Sequence, residues 1–348
     1  MPDPDPEAIG WQAIDDALLH LHGATQPFHY APEVQAVLGG SDPLDGISIY
    51  RSSSFGGHWH YVTFGFSELY DKDTDDLEVS GYGFELTFRL RATAGEETPP
   101  DWPINLLQNL ARYVFSSGNV FEAAHYMDLH SPIMAGSDSD IRAIAFAHDP
   151  QLPRQLETPN GRLQFLQVVG VTLDELSTIK RWNAETFLQL AAERLPGLVT
   201  DLERRSLLEA PSFAAAVERG VQQDGSSTAF LFPSVLSWEE TKELTVTLGA
   251  NAISDVMSVL PARVPFGREL MIATRESQLM FVARDTAAWS VIEGNLVIAL
   301  APADAQDLAR ELAPKAGRYR IGALPDVVFL VEKSPIRDRE GNIVDWIG

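Results

Sequence analysis

The 348-residue chain contains no cysteine. That absence removes disulfides, thiolate metal sites and cysteine nucleophiles, and it suits a reducing compartment. Basic residues are scarce as well: 26 Lys and Arg stand against 49 Asp and Glu, a formal charge of −23. A field of that sign repels phosphate backbones and anionic lipid surfaces, so neither nucleic acid nor a membrane is expected as a direct ligand. Its first consequence is solubility, and it steers basic partners toward the chain. No apolar run approaches the roughly 20 residues of a membrane helix. The opening residues, Met1-Pro-Asp-Pro-Asp-Pro-Glu7, are acidic and proline-rich, where a secretory signal has a basic start and an apolar run. The expected location is the cytoplasm. Histidine does not occur after position 148, which confines any catalytic histidine to the first half. Walker A, Gly-x-Ser-x-Gly and His-Glu-x-x-His motifs are also missing.

What is present is a core-forming composition, with 45% apolar residues. A first helix is expected from Asp5-Pro6, with Ile14, Leu18 and Leu21 on one face and Gly23 as its stop. Strand-like runs follow at 46–51, 58–66 and 82–91. In the last of these, Phe84, Leu86, Phe88 and Leu90 alternate with Glu85, Thr87, Arg89 and Arg91. Pro103 opens a helix that Gly118 ends, and two further strands are expected at 141–148 and 162–171. Thr172-Leu-Asp-Glu175 has the form of a capping box, so a helix should follow it. Asn183 caps another helix ending at Pro196-Gly197, and Ser212 caps a short one running to Gly220. The second half brings strands at 244–248, 295–300 and 326–332, a hairpin of 268–274 with 278–284, and a helix at 303–313. Strands cluster more often than they alternate with helices. The expected class is therefore α+β (mixed α/β), each domain a mainly antiparallel or mixed sheet flanked by helices. The boundary falls in the polar, proline-bearing stretch 209–212, giving domains 1–210 and 211–348.

Three constellations bear on chemistry. In His58-Trp-His60 both imidazoles of a strand point the same way and could share a metal, with a third ligand from His125, His130 or Asp128. The alternative is a pair of packed histidines. The run Asp71-Lys-Asp73-Thr-Asp75-Asp76 imitates the start of an EF-hand loop, but Asp76 stands where glycine is needed and Tyr82 where a bidentate Glu is needed. It reads more simply as a solvated acidic loop. Glu85 and Arg89 share a strand face and read as a sheet-surface or interface charge pair. No cofactor is implied. Two mixed domains without an evident active site point to a binding protein, with a metal-dependent hydrolase on His58 and His60 and a self-associating protein as the alternatives.

Several segments resemble the suppressor-of-fused family. Gly40-Ser-Asp-Pro-Leu-Asp45 with Ile47-Ser-Ile-Tyr-Arg51 is similar to its opening signature, and His58-Trp-His-Tyr-Val62 running to Leu69 and Tyr70 to its next block. Ser80-Gly-Tyr-Gly-Phe-Glu-Leu-Thr-Phe-Arg-Leu90 is the most specific segment, and Asp149-Pro-Gln151, Phe165-Leu-Gln-Val-Val-Gly-Val171 and Leu324-Pro-Asp-Val-Val-Phe329 follow in the family's order. The resemblance is strong over 40–190 and looser over 200–330. It implies a non-enzymatic, two-domain α/β protein. Animal members restrain the Gli-type transcription factors of Hedgehog signalling by clamping an extended Ser-Tyr-Gly-His peptide between their domains, through strand addition. Carried over, the partner-binding residues are Tyr70, with Leu77 and Glu78 as candidates in a shortened loop, and Arg263 and Gly267 in the second domain. Asn251 stands near a family glutamate, and the long insertion of animal members is missing at 232–240. Short ends and a missing insertion resemble bacterial members. For those, a role as immunity proteins against polymorphic toxins has been proposed, which implies a protein partner that is a toxin.

Overall fold

The computed structural model describes residues 8–34, 39–337 and 342–348. The chain divides into two compact units, 1–176 with 184–209 and 177–183 with 210–348. The helix start expected at Asp5-Pro6 lies outside the described residues.

The first unit contains α1 (Ile9–His22), β1 (Phe28–Tyr30), β2 (Gly46–Ser52), β3 (His58–Phe64), β4 (Val79–Arg91), α2 (Trp102–Ser117), β5 (Tyr126–Asp128), β6 (Ile141–His148), β7 (Leu156–Thr158) and β8 (Gly161–Thr172). It continues into α3 (Leu173–Arg181), which the division crosses, and α4 (Ala184–Ala192). Its strands form one eight-stranded sheet in the order β1-β2-β3-β4-β8-β6-β5, with β7 paired to β8. β4 and β8 run parallel and the other neighbours antiparallel, so the sheet is mixed.

Both faces of this sheet are covered. On one, α2 sets Leu107, Leu110, Ala111 and Val114 against Phe84, Phe88, Trp59 and Tyr61. On the other, α1 sets Ile14 and Leu18 against Tyr50, Val62 and Phe64. Each leucine sealed this way contributes on the order of 2 kcal/mol. The double cover corrects one expectation. Glu85 and Arg89 are not a sheet-surface pair; both are fully buried, as is Thr87 between them.

The second unit contains α5 (Pro211–Asp224), β9 (Phe230–Leu231), β10 (Leu236–Glu240), β11 (Leu244–Gly249), α6 (Ala250–Val259), β12 (Leu270–Ala273), β13 (Gln278–Ala283), β14 (Ala288–Ile292) and β15 (Asn295–Leu300). After these come α7 (Pro302–Glu311), β16 (Gly317–Ile321), β17 (Leu324–Glu332), β18 (Ser334–Arg337) and β19 (Ile343–Ile347). The strands make a four-stranded sheet β10-β11-β17-β16, a five-stranded sheet β14-β15-β13-β12-β9 and the pair β18-β19. One core joins the first two sheets through Ile253 and Val256 of α6 and Leu308 of α7. Both units are mixed α/β, as the sequence pattern implied. The elements the pattern did not announce are α6, the short strands β1, β5, β7 and β9, the strands β10, β14 and β16, and the hairpin β18-β19.

α5 passes through Gly220, where a stop was expected, and ends at Gly225. Gly220 is there for contact rather than termination: a Cβ on it would lie 2.1 Å from the Trp182 ring. The Trp182 indole also donates to Asp224 at 2.9 Å. Lys180 pairs with Asp255 at 2.8 Å, so the 177–183 segment is tied to the second unit by side chains as well as by packing.

Half of the expected capping box forms, while the Thr172 hydroxyl donates to Asp174 instead. The Thr172 amide donates to Glu175 Oε2 at 3.0 Å. Glu175, fully buried, also accepts both Nη atoms of Arg204, at 2.7 and 2.6 Å, and the Leu207 amide at 2.7 Å. One carboxylate thus caps α3 and anchors the 204–207 segment. Glu175→Ala strands the largely buried Arg204 and is expected to cost about 3 kcal/mol in urea denaturation, as breaking a buried pair from one side does. A loss within the range of a surface substitution would contradict that role.

Candidate functional site

The site residues assigned to the first unit lie on the chain leaving β3. That chain turns sharply at Gly65–Ser67, and the turn is held by the Glu85 carboxylate. Glu85 accepts from the Gly65 amide (3.0 Å), the Ser67 amide (2.9 Å), Ser67 Oγ (2.6 Å) and Thr63 Oγ1 (2.6 Å). Burial pushes the Glu85 acid up to about 7, against the pull of these donors. Beyond the turn, the Leu69 carbonyl accepts the amides of Gly10 and Trp11 in the first turn of α1, at 3.0 and 3.1 Å. Asn160 Nδ2 donates to the carbonyls of Glu68 and Tyr70, both at 2.9 Å. Gly81, at φ +54°, lets β4 pass close beneath: a Cβ there would lie 2.6 Å from the Phe66 carbonyl. The backbone of Tyr70 is therefore fixed, while its side chain is 36% exposed. Partial burial and the charge of Asp45 raise the Tyr70 phenol above its ordinary value.

The acidic loop after Tyr70 closes around an ammonium group. Lys72 Nζ donates to Glu68 Oε2 (2.6 Å), Thr74 Oγ1 (2.7 Å) and the Val79 carbonyl (2.5 Å). Glu68 also accepts the amides of Asp73 (2.7 Å), Thr74 (2.6 Å) and Gly81 (3.0 Å). Burial works to raise the Glu68 acid, but Lys72 and the three amides outweigh it and bring it down to about 2. Lys72 thus occupies the centre of the loop that imitates a calcium site. Leu77, 78% exposed, and Glu78, also exposed, stand on the outer part of this loop, with Glu78 3.4 Å from Arg162.

In the second unit, Arg263 is 8% exposed and its guanidinium is engaged internally. Nε donates to the Glu269 carbonyl at 2.6 Å and Nη1 to the Ser226 carbonyl at 2.9 Å. Gly267 follows a single turn of 3-10 helix at φ +70°, a left-handed position that suits glycine. Arg263 and Gly267 therefore shape one turn, which leads back to the 226–229 segment before β9. β9 is an edge strand, and the exposed rings of Phe230 and Phe232 lie parallel at its end, 6.2 Å apart. Asn251 sits in the first turn of α6, where its amide donates to Ser334 Oγ at 3.2 Å.

The metal reading of His58 and His60 meets a different geometry. Both imidazoles are fully buried. His130 and Asp128 lie on or after β5, and His125 just before it, at the far end of the sheet from β3. With four strand steps of about 4.8 Å between β3 and β5, none of the three reaches the pair. Among the described residues no group of three or more His, Asp or Glu is arranged to hold a metal. The neighbours of His60 are His22 of α1, whose Nε2 lies 3.0 Å from His60 Nδ1, and Asp149, 3.3 Å from His60 Nε2. Because a carboxylate only accepts, His60 Nε2 carries the proton toward Asp149, and Nδ1 accepts from His22. Asp149 also accepts Arg89 Nη2 (2.7 and 2.9 Å), Thr87 Oγ1 (2.8 Å) and the amides of Gln151 (2.9 Å) and Leu152 (3.1 Å). A buried guanidinium beside the two imidazoles repels any cation. Sequence reasoning missed His22 and Asp149, which lie 38 residues before His60 and 60 after Arg89 along the chain.

Burial, then the charge of Arg89, lowers His22 and His58 to about 4 and His60 to about 3, from an ordinary 6.5. These imidazoles are neutral in the fold, and the unfolded chain takes up their protons first. The stability they carry is present above pH 6.5 and is lost as pH falls through the folded values. Glu85 acts oppositely, since its raised acid contributes stability below 4.5 that is lost as pH rises through about 7. Three groups against one decide the sign. The urea midpoint is expected to fall as pH drops from 6.5 to 4.5, and His22→Gln to make that slope shallower; a flat profile would contradict the buried neutral histidines.

Comparisons with known proteins agree on one family. The family model for suppressor of fused protein (SUFU) matches residues 40–205. The human Suppressor of fused homolog is 40% identical over 217 residues, 58% of this chain and 44% of the human protein, and the mouse protein matches to the same extent. This chain thus spans less than half the length of these curated relatives. The crystal structure of Drosophila Suppressor of Fused superposes with a TM-score of 0.76 at 22% identity, over 94% of this chain and 97% of that one, a likeness of fold. A chain of the Sufu-Fu complex is 32% identical, with a TM-score of 0.57, over 61% of this chain and 98% of that one. The match runs through β2–β8, where the buried Glu85 and Arg89 and the turn bearing Tyr70 lie, and the chain belongs to the suppressor-of-fused family.

Proposed function

We propose that this chain is a non-enzymatic protein-binding module that takes an extended segment of a partner polypeptide, with Tyr70 as its principal anchor. The observation that carries the reading is a half-exposed aromatic side chain on a backbone pinned by α1, Asn160 and the Glu85-held turn. Interface hot spots take this form, because a rigid aromatic loses little conformational freedom on binding. Leu77 and Glu78 offer an apolar and an acidic contact on the adjoining loop. In the second unit, the turn shaped by Arg263 and Gly267 supports the edge strand β9, whose unpaired backbone and exposed Phe230 and Phe232 suit strand addition. The Sufu-Fu complex supports this reading, since a relative is named there in complex with another protein. The net charge of −23 favours a segment carrying basic residues. A toxin polypeptide falls within this partner class.

Selection of binding peptides against the full chain from a displayed random library, followed by calorimetry, tests the proposal. Tyr70→Ala is expected to weaken the best segment by about 2 kcal/mol, roughly thirtyfold. Equal affinity of Tyr70→Ala and the parent would remove Tyr70 from the site. A library that yields no saturable binder would remove the function itself.

A further inference from the structure

Beside α1 lies a cavity of about 480 Å³ in the first unit. Its walls include Trp11, Asp15 and Asp16 from α1, His29 from β1, and Ser48 and Tyr50 from β2. That volume falls in the range of small-ligand pockets. Three features of its lining converge.

The first is an unbalanced charge. Asp15 and Asp16 line the cavity, and no lysine or arginine does. Burial holds the ring of His29 below its ordinary value, against the pull of Asp15. Asp16 accepts a hydrogen bond from Gln12 at 2.8 Å. Asp15 accepts a hydrogen bond from the Trp11 side chain and has no ion-pair partner among the described residues; burial raises its acid above the ordinary value, against the pull of that bond. The second feature is an aromatic wall. Trp11 stacks on Phe64 at 4.4 Å and meets His29 at 5.6 Å, while Tyr50 stacks on His22 at 4.1 Å. Phe64 and His22 each cover one face of these rings and hold them in place. The third feature is Tyr50 itself. It is 6% exposed, it lines the cavity, and its hydroxyl has no hydrogen-bond partner among the described residues. The hydroxyl is therefore available to a ligand in the cavity.

A carboxylate with no cationic partner, aromatic rings held in place and a hydroxyl open to the cavity suit an organic cation. Aromatic rings attract an ammonium through their quadrupole, a carboxylate neutralises it, and hydroxyl oxygens accept its N–H groups. An inorganic cation gains little from the rings, and an anion is repelled by both aspartates. We propose that the cavity between α1, β1 and β2 binds an alkylammonium group, with Asp15 as its counter-ion and Trp11 and Tyr50 as its aromatic walls. The same chemistry is carried by a free diamine and by a lysine side chain of a polypeptide.

Calorimetry on the full chain with 1,5-diaminopentane and with Nα-acetyl-lysine methylamide tests the site and separates its sources. Saturable binding is expected, and the tighter probe names the source. Pentane-1,5-diol, of the same length without charge, is expected not to bind. Asp15→Asn, which keeps the shape, is expected to weaken the ammonium probe about tenfold, and Tyr50→Phe, which keeps the stacked ring, several-fold. Absence of saturation for both probes would overturn the proposal. So would binding of the diol, equal displacement by potassium chloride, or an Asp15→Asn variant that binds as the parent does, since each would reduce the effect to bulk negative charge.

Discussion

The central sheet of the first unit is organised around charge placed where water cannot reach it. Glu85 and Arg89 occupy one strand, both fully buried, and neither is the partner of the other. Ionised groups cannot be left bare in a low-dielectric interior. Each has therefore drawn a separate set of distant groups to itself. Arg89 draws Asp149, and through Asp149 the amides of Gln151 and Leu152 and the imidazole of His60, which in turn meets His22 at the end of α1. Glu85 draws Ser67, Gly65 and Thr63. The first set ties α1 and the 149–152 turn to the sheet. The second bends the chain toward Tyr70. Packing alone tolerates small shifts of these segments, whereas a buried carboxylate with four donors does not.

This arrangement explains what reading the sequence recovers and what it misses. Alternation along 82–91 identifies a strand and its apolar face, because side chains in a strand change face at every residue. It assigns Glu85 and Arg89 to water only on the assumption that polarity reports exposure. The covering element, α1, is visible as a helix through Ile14, Leu18 and Leu21, yet nothing local states which sheet face it lies on. Asp149 shows the same limit. It stands in a turn between two strands, and its role depends on pairing across the sheet with a strand 60 residues earlier. The resemblance placed Asp149-Pro-Gln151 within a family block without a reason; its hydrogen bonds supply one. α6 was hidden differently. Its apolar residues Ile253, Val256 and Val259 have helical spacing, but the helix follows β11 without a loop, and the single Gly249 at the junction does not by itself mark the change of period.

The candidate site was legible in part for the same reasons. Tyr70 was reached through the family resemblance, and its surroundings could not have been. The loop after it shows a row of aspartates that suggests a cation site from without. Inside, Lys72 already supplies the cation, bridging Glu68 to the Val79 carbonyl. A lysine between two aspartates in sequence carries no sign of whether it faces solvent or the middle of its own loop. His58 and His60 pose the converse case. Their spacing puts both rings on one face, as strand geometry requires, but that face is roofed by α1 and shared with a guanidinium.

The segment that carries Tyr70 has no regular secondary structure, yet its polar backbone is accounted for nearly atom by atom. The Phe66 carbonyl is taken by the Tyr82 amide, the Leu69 carbonyl by α1, and the Glu68 and Tyr70 carbonyls by Asn160. The Glu68 amide donates to Ser80. Donors from α1, β4 and the turn before β8 thus converge on four or five consecutive residues. A loop so bonded cannot relax by small rotations, since each would break a bond that solvent is poorly placed to replace. What remains free is the Tyr70 ring, and its freedom is limited to two torsions. For a partner, ordering such a ring costs far less than ordering a mobile loop. The buried charges of the sheet therefore act at a distance: they hold still the backbone that carries the Tyr70 side chain.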